Sequence, residues 1–180
     1  MASLRGQLLV AGPALLDPNF HRTVVLVCEH DEDGAMGLVL NRPSPIPADQ
    51  AIPELAEALG PDETLWVGGP VQTTSVVVLA DFNEAGDGMP VAGDVGLVLP
   101  DTDLDDVATA VKRARAFLGY AGWGGGQLDG ELERDDWIVA PFAPEDAFTA
   151  EPDQLWSRVL GRKGGSYALL ATMPPDPRLN

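Results

Sequence analysis

With 180 residues and a hydrophobic fraction of 45%, the chain has enough material for one domain with a sizeable core. Eleven basic residues against twenty-eight acidic ones leave a net charge of −17, which keeps the chain soluble and repels polyanions. The single Cys28 excludes an intramolecular disulfide framework, and no apolar run approaches the ~20 residues of a membrane span. With no charged-then-apolar leader in view, a cytoplasmic protein without membrane association is expected. Sixteen prolines and twenty glycines imply many turns and short elements rather than a helical bundle.

In chain order, residues 8–11 read as a first strand, stopped by Gly12-Pro13. Leu16-Asp17-Pro18-Asn19-Phe20 is a turn, because Asp bonds its own backbone and Pro presets φ; Phe20 should anchor that turn on the core. Residues 23–30 form the strongest strand, β-branched and apolar on both faces, and therefore central. Asp31-Glu32-Asp33-Gly34 turns it back into a strand over residues 35–41. Arg42-Pro43-Ser44-Pro45-Ile46-Pro47 is expected to be a loop, since proline cannot donate to a ladder. A short helix over 53–59 ends at Gly60. Strands follow at 64–67, 75–80 and 95–99, with the most loop-like segment at 83–88.

The best helix of the sequence is expected over residues 103–118. Leu104, Val107, Ala108, Val111, Ala114 and Leu118 share one face at helical spacing, acids lead, bases trail, and Gly119 ends it. Gly119-Tyr120-Ala121-Gly122-Trp123-Gly124-Gly125-Gly126-Gln127 then reads as a short strand, a glycine turn and a helix opening near Gln127. A helix so entered presents free N–H groups that could hold an anion or a carboxylate; the alternative, which is favoured, is a tight strand-to-helix corner with Trp123 as a core plug. Residues 137–140 form a strand, and Leu155, Trp156, Val159 and Leu160 mark a last helix closed by Gly161. The chain reads as one domain over 1–180 with a loose tail at 173–180. Strands that pair by hairpins, with helices intruding irregularly, favour α+β.

Several of these segments carry a resemblance. Leu16-Asp17-Pro18-Asn19-Phe20 with Arg22, Cys28-Glu29-His30, Gly34-Ala35-Met36-Gly37 and Asn41-Arg42-Pro43 come first. Gly68-Gly69-Pro70, Gly119-Tyr120-Ala121-Gly122-Trp123 and Gly126-Gln127-Leu128 complete the set. In order and spacing the chain resembles the YqgE/AlgH family over nearly its whole length. The resemblance implies an α+β fold with a mixed, partly split β-sheet curled toward a barrel and helices packed against it. That family is widespread in bacteria and has no established catalytic residues; some members carry a transcriptional-regulator label.

The residues themselves spell out no reaction. Cys28 and His30 sit two apart on a strand, about 6.6 Å along it, too far for a thiolate–imidazolium pair. Cys28 reads as a buried structural cysteine. His21, His30 and Cys28 lack metal-ligand spacing, so no metal and no cofactor is expected. Asp17 and Glu29 could be an acid/base pair, but acids are abundant throughout the chain. No nucleophile elbow, phosphate loop or dinucleotide fingerprint occurs.

Three readings follow. The first is a non-catalytic binding or regulatory module for a protein or small-molecule partner. Its surface gathers Asn41, Arg42, Gly68, Gly69, Trp123 and Gln127, which sit where apolar strands end in unusual backbone. The second is an enzyme acting on a small anionic molecule at the same loops, with Arg42 as a cationic fork. The third is a direct DNA binder. It is disfavoured because the one basic cluster, Lys112-Arg113-Ala114-Arg115, follows four acids at 101, 103, 105 and 106. The sequence favours the first, without direct nucleic-acid contact.

Overall fold

A computed structural model describes residues 2–84 and 86–174. The N-terminal apolar runs form β1 (Gln7–Ala11), β2 (Val24–Asp31) and β3 (Gly34–Val39), followed by β4 (Pro43–Pro47). Short helical pieces come next: α1 (Ala48–Ala51), a 3-10 turn (Pro53–Leu55) and α2 (Ala56–Leu59). After β5 (Thr64–Val67) and β6 (Val71–Phe82), the strands β7 (Met89–Ala92) and β8 (Val95–Leu97) pair as a hairpin. A 3-10 turn (Leu104–Asp106) and α3 (Val107–Ala110) lead into β9 (Val111–Gly124). α4 (Gln127–Glu133), β10 (Trp137–Pro141), α5 (Pro144–Ala147), α6 (Pro152–Lys163) and α7 (Ser166–Leu170) follow.

The strands join in one mixed sheet, ordered β10-β1-β2-β3-β9-β6-β8-β7, with β5 added to β9 in parallel and β4 added to β5. Along one edge β9 pairs with β5 at Phe117 and Leu118, then with β3 at residues 121–124. The sheet splits there into two branches. Its ends curl toward each other without closing: a Cβ on Gly6, just before β1, would lie 2.8 Å from the Val91 carbonyl oxygen of β7.

Period-two alternation builds three apolar clusters on this sheet. Leu8, Val10, Val24 and Leu26 face a central cluster with Leu79, Leu97 and Phe117 of the other branch, and α6 seals it with Leu155, Trp156, Val159 and Leu160. Leu9, Ala11, Val25 and Val27 face the opposite way, onto Trp123, Leu128 and Trp137. Val78, Ala80, Ala114 and Ala116 form the outer face of the second branch, beneath Ala48, Leu55, Leu59 and Val107. Each fully buried Leu or Phe in these layers contributes about 1.5–3 kcal/mol. This is the expected α+β arrangement, with a mixed, partly split sheet curled toward a barrel and helices packed against it.

The segment expected as the best helix is mostly strand. Only residues 104–110 are helical, and from Val111 the chain is the longest strand of the sheet. Mid-strand, Ala114 and Ala116 pack outward while Phe117 packs inward, so both faces are buried. The helical spacing is overridden by tertiary pairing: Lys112, Arg113 and Arg115 interrupt the apolar residues of 111–118 and meet Asp94, Asp81 and Glu63, partners distant in the chain that no local period announces. Gly119 caps no helix. Its φ of +70° takes up an irregularity in β9, after which Tyr120 faces the central cluster and Ala121 and Trp123 face the third one.

Two smaller expectations also change. Residues 43–47 are an edge strand rather than a loop. Pro43, Pro45 and Pro47 alternate, so their missing donors fall on one edge, while the Ser44 and Ile46 carbonyls face the Thr64 hydroxyl. α6 does not stop at Gly161; it runs to Lys163 and ends at Gly164. Arg162 in that extra turn donates to the buried Asp146 carboxylate at 2.8 and 3.0 Å. That hydrogen bond, more than the opposing burial, raises the Arg162 pKa. Of the tail read as loose, residues 175–180 lie outside the described residues, as does Ala85 in the loop at 83–88.

Candidate ligand cavity and the predicted loop residues

The six residues singled out in the sequence lie at two adjoining corners. Asn41 brackets the start of β2: its Oδ1 accepts from the Val24 N–H and its Nδ2 donates to the Arg22 carbonyl, both at 3.0 Å. Arg42 reaches under the Asp17–His21 turn. Its Nη1 donates to the Pro18 and Asn19 carbonyls at 2.8 Å, and its Nη2 to the His21 carbonyl at 3.1 Å. Burial lowers the Arg42 pKa, while the nearby Asp17 charge opposes that shift. Gly68 and Gly69 carry the chain across β9, where a Cβ would run into the Gly119 and Tyr120 carbonyls respectively. Arg42 and Gly69 share the wall of a cleft of about 200 Å³ with Asn19 and Thr73.

Trp123 and Gln127 occupy the second corner. Trp123 is buried at the end of β9 and stacks at 6.5 Å on Phe20, the residue that the Arg42-held turn presents to the core. Gln127 is exposed at the start of α4, and its Oε1 accepts from the Gly124 N–H at 3.0 Å, closing the glycine turn. The two corners are therefore joined through Phe20. Both amide atoms of Asn41, Nη1 and Nη2 of Arg42 and Oε1 of Gln127 bond to backbone of their own corners.

Beside α4 lies a polar cleft of about 430 Å³ lined by Ser3, His30, Asp31, Glu32, Gly126 and Asp129. His30 Nδ1 accepts from the Leu4 N–H at 2.9 Å, so His30 pins the N-terminal segment. Its Nε2 faces Asp129 Oδ1 at 4.0 Å. Among the described residues, no group of three or more His, Cys, Asp or Glu side chains is placed to hold a metal ion.

Cys28 is fully buried, and that burial, followed by the neighbouring Glu29 carboxylate, pushes its thiol well above the ordinary range. A thiol so held is a weak nucleophile. The basic cluster read as a helix end lies along β9. Lys112 sits 3.8 Å from Asp94, Arg113 pairs with Asp81 at 3.3 Å, and buried Arg115 pairs with Glu63 at 3.2 Å over the Trp66 ring.

A larger concavity lies elsewhere, at a sheet edge that the sequence does not mark. β8 pairs with β6 only at residues 79–81, with one further bond from the Val98 N–H to the Val78 carbonyl. Beyond it, Val76 and Val77 border a cavity of about 580 Å³, within the usual range of small-molecule sites. Met36, Met89 and Leu97 wall it from the central cluster, and Leu55 and Leu104 from the outer one. Glu29 is its one ionisable wall residue. Val76 and Leu99, at 43% and 41% exposure, leave the opening apolar. Of its lining, the sequence offers only Glu29 as a candidate for chemistry, as half of a chance acid pair. The cavity is assembled from six separate segments, which no local pattern announces.

Fold and site together define a class: a split-sheet α+β fold with an apolar cavity at an open strand edge. A family model described as AlgH-like matches residues 8–168, and the chain belongs to that family. A UPF0301 protein of Streptomyces coelicolor is 42% identical over 187 aligned positions, covering 100% of this chain and 97% of the relative. A UPF0301 protein of Mycolicibacterium smegmatis is 41% identical over 181, covering 97% and 90%. The solution structure of the AlgH protein from Pseudomonas aeruginosa matches with a TM-score of 0.73 and 33% identity, covering 97% of each chain. A crystal structure of a Corynebacterium diphtheriae protein matches with a TM-score of 0.86 and 29% identity, covering 96% and 94%. No helix among the described residues is long and apolar enough to cross a membrane.

Proposed function

We propose that the protein is a cytoplasmic, non-catalytic binding module that takes a small molecule in the cavity beside Val76 and acts in regulation without touching DNA. The observation that carries this reading is the cavity itself, apolar on nearly every side and open at an unpaired strand edge. Concave, mostly apolar sites with a few placed polar groups are where proteins usually hold small molecules.

The enzyme alternative at the loop residues has less support. An anionic substrate would need the Arg42 fork, and that fork already donates to three carbonyls. In our reading Asn41, Arg42, Gly68, Gly69, Trp123 and Gln127 form the frame that fixes the sheet junction, rather than the ligand surface. Direct DNA contact has little support either, because the three bases of the cluster on β9 each lie beside an acid.

The test is capture of small molecules from a bacterial extract, read by native mass spectrometry, with wild type and with Val76→Trp, which fills the cavity mouth from an exposed position. A mass adduct on wild type that is missing from a normally folded Val76→Trp supports the proposal. An adduct of equal occupancy on both places the ligand elsewhere.

A further inference from the structure

We infer that Glu29 is the polar anchor of the cavity, and that its ligand is a small molecule with a compact apolar body and one cationic nitrogen. The inference rests on the cavity being the binding site.

It starts from the register of β2. Val27 pairs with Gly37 and Glu29 pairs with Met36, so Cys28 is an extra residue with no partner on β3. Such a bulge re-aims the side chains around it. In plain alternation Cys28 and Glu29 would face opposite sides of the sheet. Here Cys28 lies in the central cluster, and Glu29, opposite Met36, borders the cavity that opens from the same face.

The carboxylate so delivered makes no hydrogen bond or ion pair with any described residue. Three carboxylates set against apolar surface are answered by a base, Asp81 by Arg113, Glu63 by Arg115 and Asp146 by Arg162, whereas Glu29, an exposed residue on the cavity wall, is left to solvent or to a ligand. A charge on an otherwise apolar wall selects for an opposite charge on the ligand and against a like one. The net charge of −17 acts in the same direction at longer range, drawing cations in and turning anions away. The rest of the wall, including Met36, Met89 and Leu104, offers only apolar contact, with methionine able to adapt to the body it meets.

Two methionine methyl groups in the wall provide the readout. Protein labelled with carbon-13 at methionine methyls is titrated with three probes that share one chain: octylammonium, 1-octanol and octanoate. Met173, outside the cavity wall, serves as reference. The expected result is that Met36 and Met89 shift with octylammonium about five-fold more tightly than with 1-octanol, and that octanoate is weakest. In Glu29→Gln, an exposed position, the preference for octylammonium over 1-octanol should vanish while 1-octanol binding is kept. If 1-octanol binds wild type as tightly as octylammonium, or if Glu29→Gln keeps the preference, the anchor is wrong and the cavity reading stands. If none of the probes shifts Met36 and Met89, the cavity reading itself fails, and the anchor with it.

Discussion

Trp123 and Trp137 donate their indole N–H groups to the same oxygen, Glu131 Oε1, at 3.3 and 3.2 Å. Their rings meet edge to face at 6.0 Å, and Phe20 completes the aromatic group. Both indoles are almost fully buried, so each donor would have no acceptor without that carboxylate. One residue of α4 thus ties the end of β9 to β10.

Glu131→Ala is expected to reduce stability by roughly 2–4 kcal/mol, because it leaves two buried donors without an acceptor. Glu131→Gln keeps a carbonyl oxygen in place and should lose about half as much. Urea midpoints of the two variants test this. Equal, small losses would mean that the shared oxygen contributes little.

Arg42→Ala should reduce stability by about 1–3 kcal/mol by releasing three carbonyls of the Asp17–His21 turn. Arg42→Lys should recover little, since one ammonium cannot reproduce a two-pronged guanidinium reaching three acceptors. Thermal unfolding of both variants is the measurement. A wild-type melting curve for Arg42→Ala would free Arg42 for the recognition role expected from the sequence.

Cys28 gives a pH dependence with a definite sign. Its thiol pKa is raised in the fold, by burial first and by Glu29 second. The unfolded chain releases that proton near pH ~8.5, while the folded protein keeps it. The stabilising contribution is therefore complete below about pH 8.5 and falls as pH rises above it, by up to about 1.4 kcal/mol per pH unit. Comparison of urea stability at about pH 7.5 and about pH 9.5 should show a steeper loss for wild type than for Cys28→Ala. Native protein should also resist thiol alkylation. Rapid labelling of Cys28 under native conditions would contradict its burial.

The sequence carried most of the fold through its strands. β1, β5 and β10 lie where apolar runs end in glycine or proline, β2 where a β-branched run ends in the acidic Asp31-Gly34 turn, and the opening of α4 falls at Gln127 as expected. β9 differs from the expected helix because its start does have helical spacing, while the acids that hold Lys112, Arg113 and Arg115 in the sheet lie at positions 94, 81 and 63. The extension of α6 depends on Asp146, which sits sixteen residues before Arg162 on a separate helix. The cavity was illegible for a related reason. Its walls come from residues 29, 36, 52, 55, 76–78, 89, 97–100 and 104, and the bulge that turns Glu29 is a matter of pairing register rather than of residue type. The loop motifs, by contrast, stood out because glycine and arginine are locally conspicuous. Their contacts are those of a tightly crossed sheet junction.

Duplex DNA should not be bound specifically. Lys112, Arg113 and Arg115 lie on one strand beside Asp94, Asp81 and Glu63, so little free positive charge is left to displace counterions. A salt titration by fluorescence anisotropy with unrelated duplexes is the check. Sub-micromolar, sequence-dependent binding near physiological salt would overturn this expectation.

The most direct test of the cavity as the binding site is a titration with a neutral apolar fluorophore, N-phenyl-1-naphthylamine. Wild type should bind one equivalent with enhanced emission, and Gln127→Ala, which alters the glycine corner and not the cavity, should bind it equally well. Val76→Trp should melt like wild type and lose at least about ten-fold in affinity, since its indole occupies the mouth. Unchanged binding by Val76→Trp, together with loss in Gln127→Ala, would contradict the account and move the site to the glycine corner.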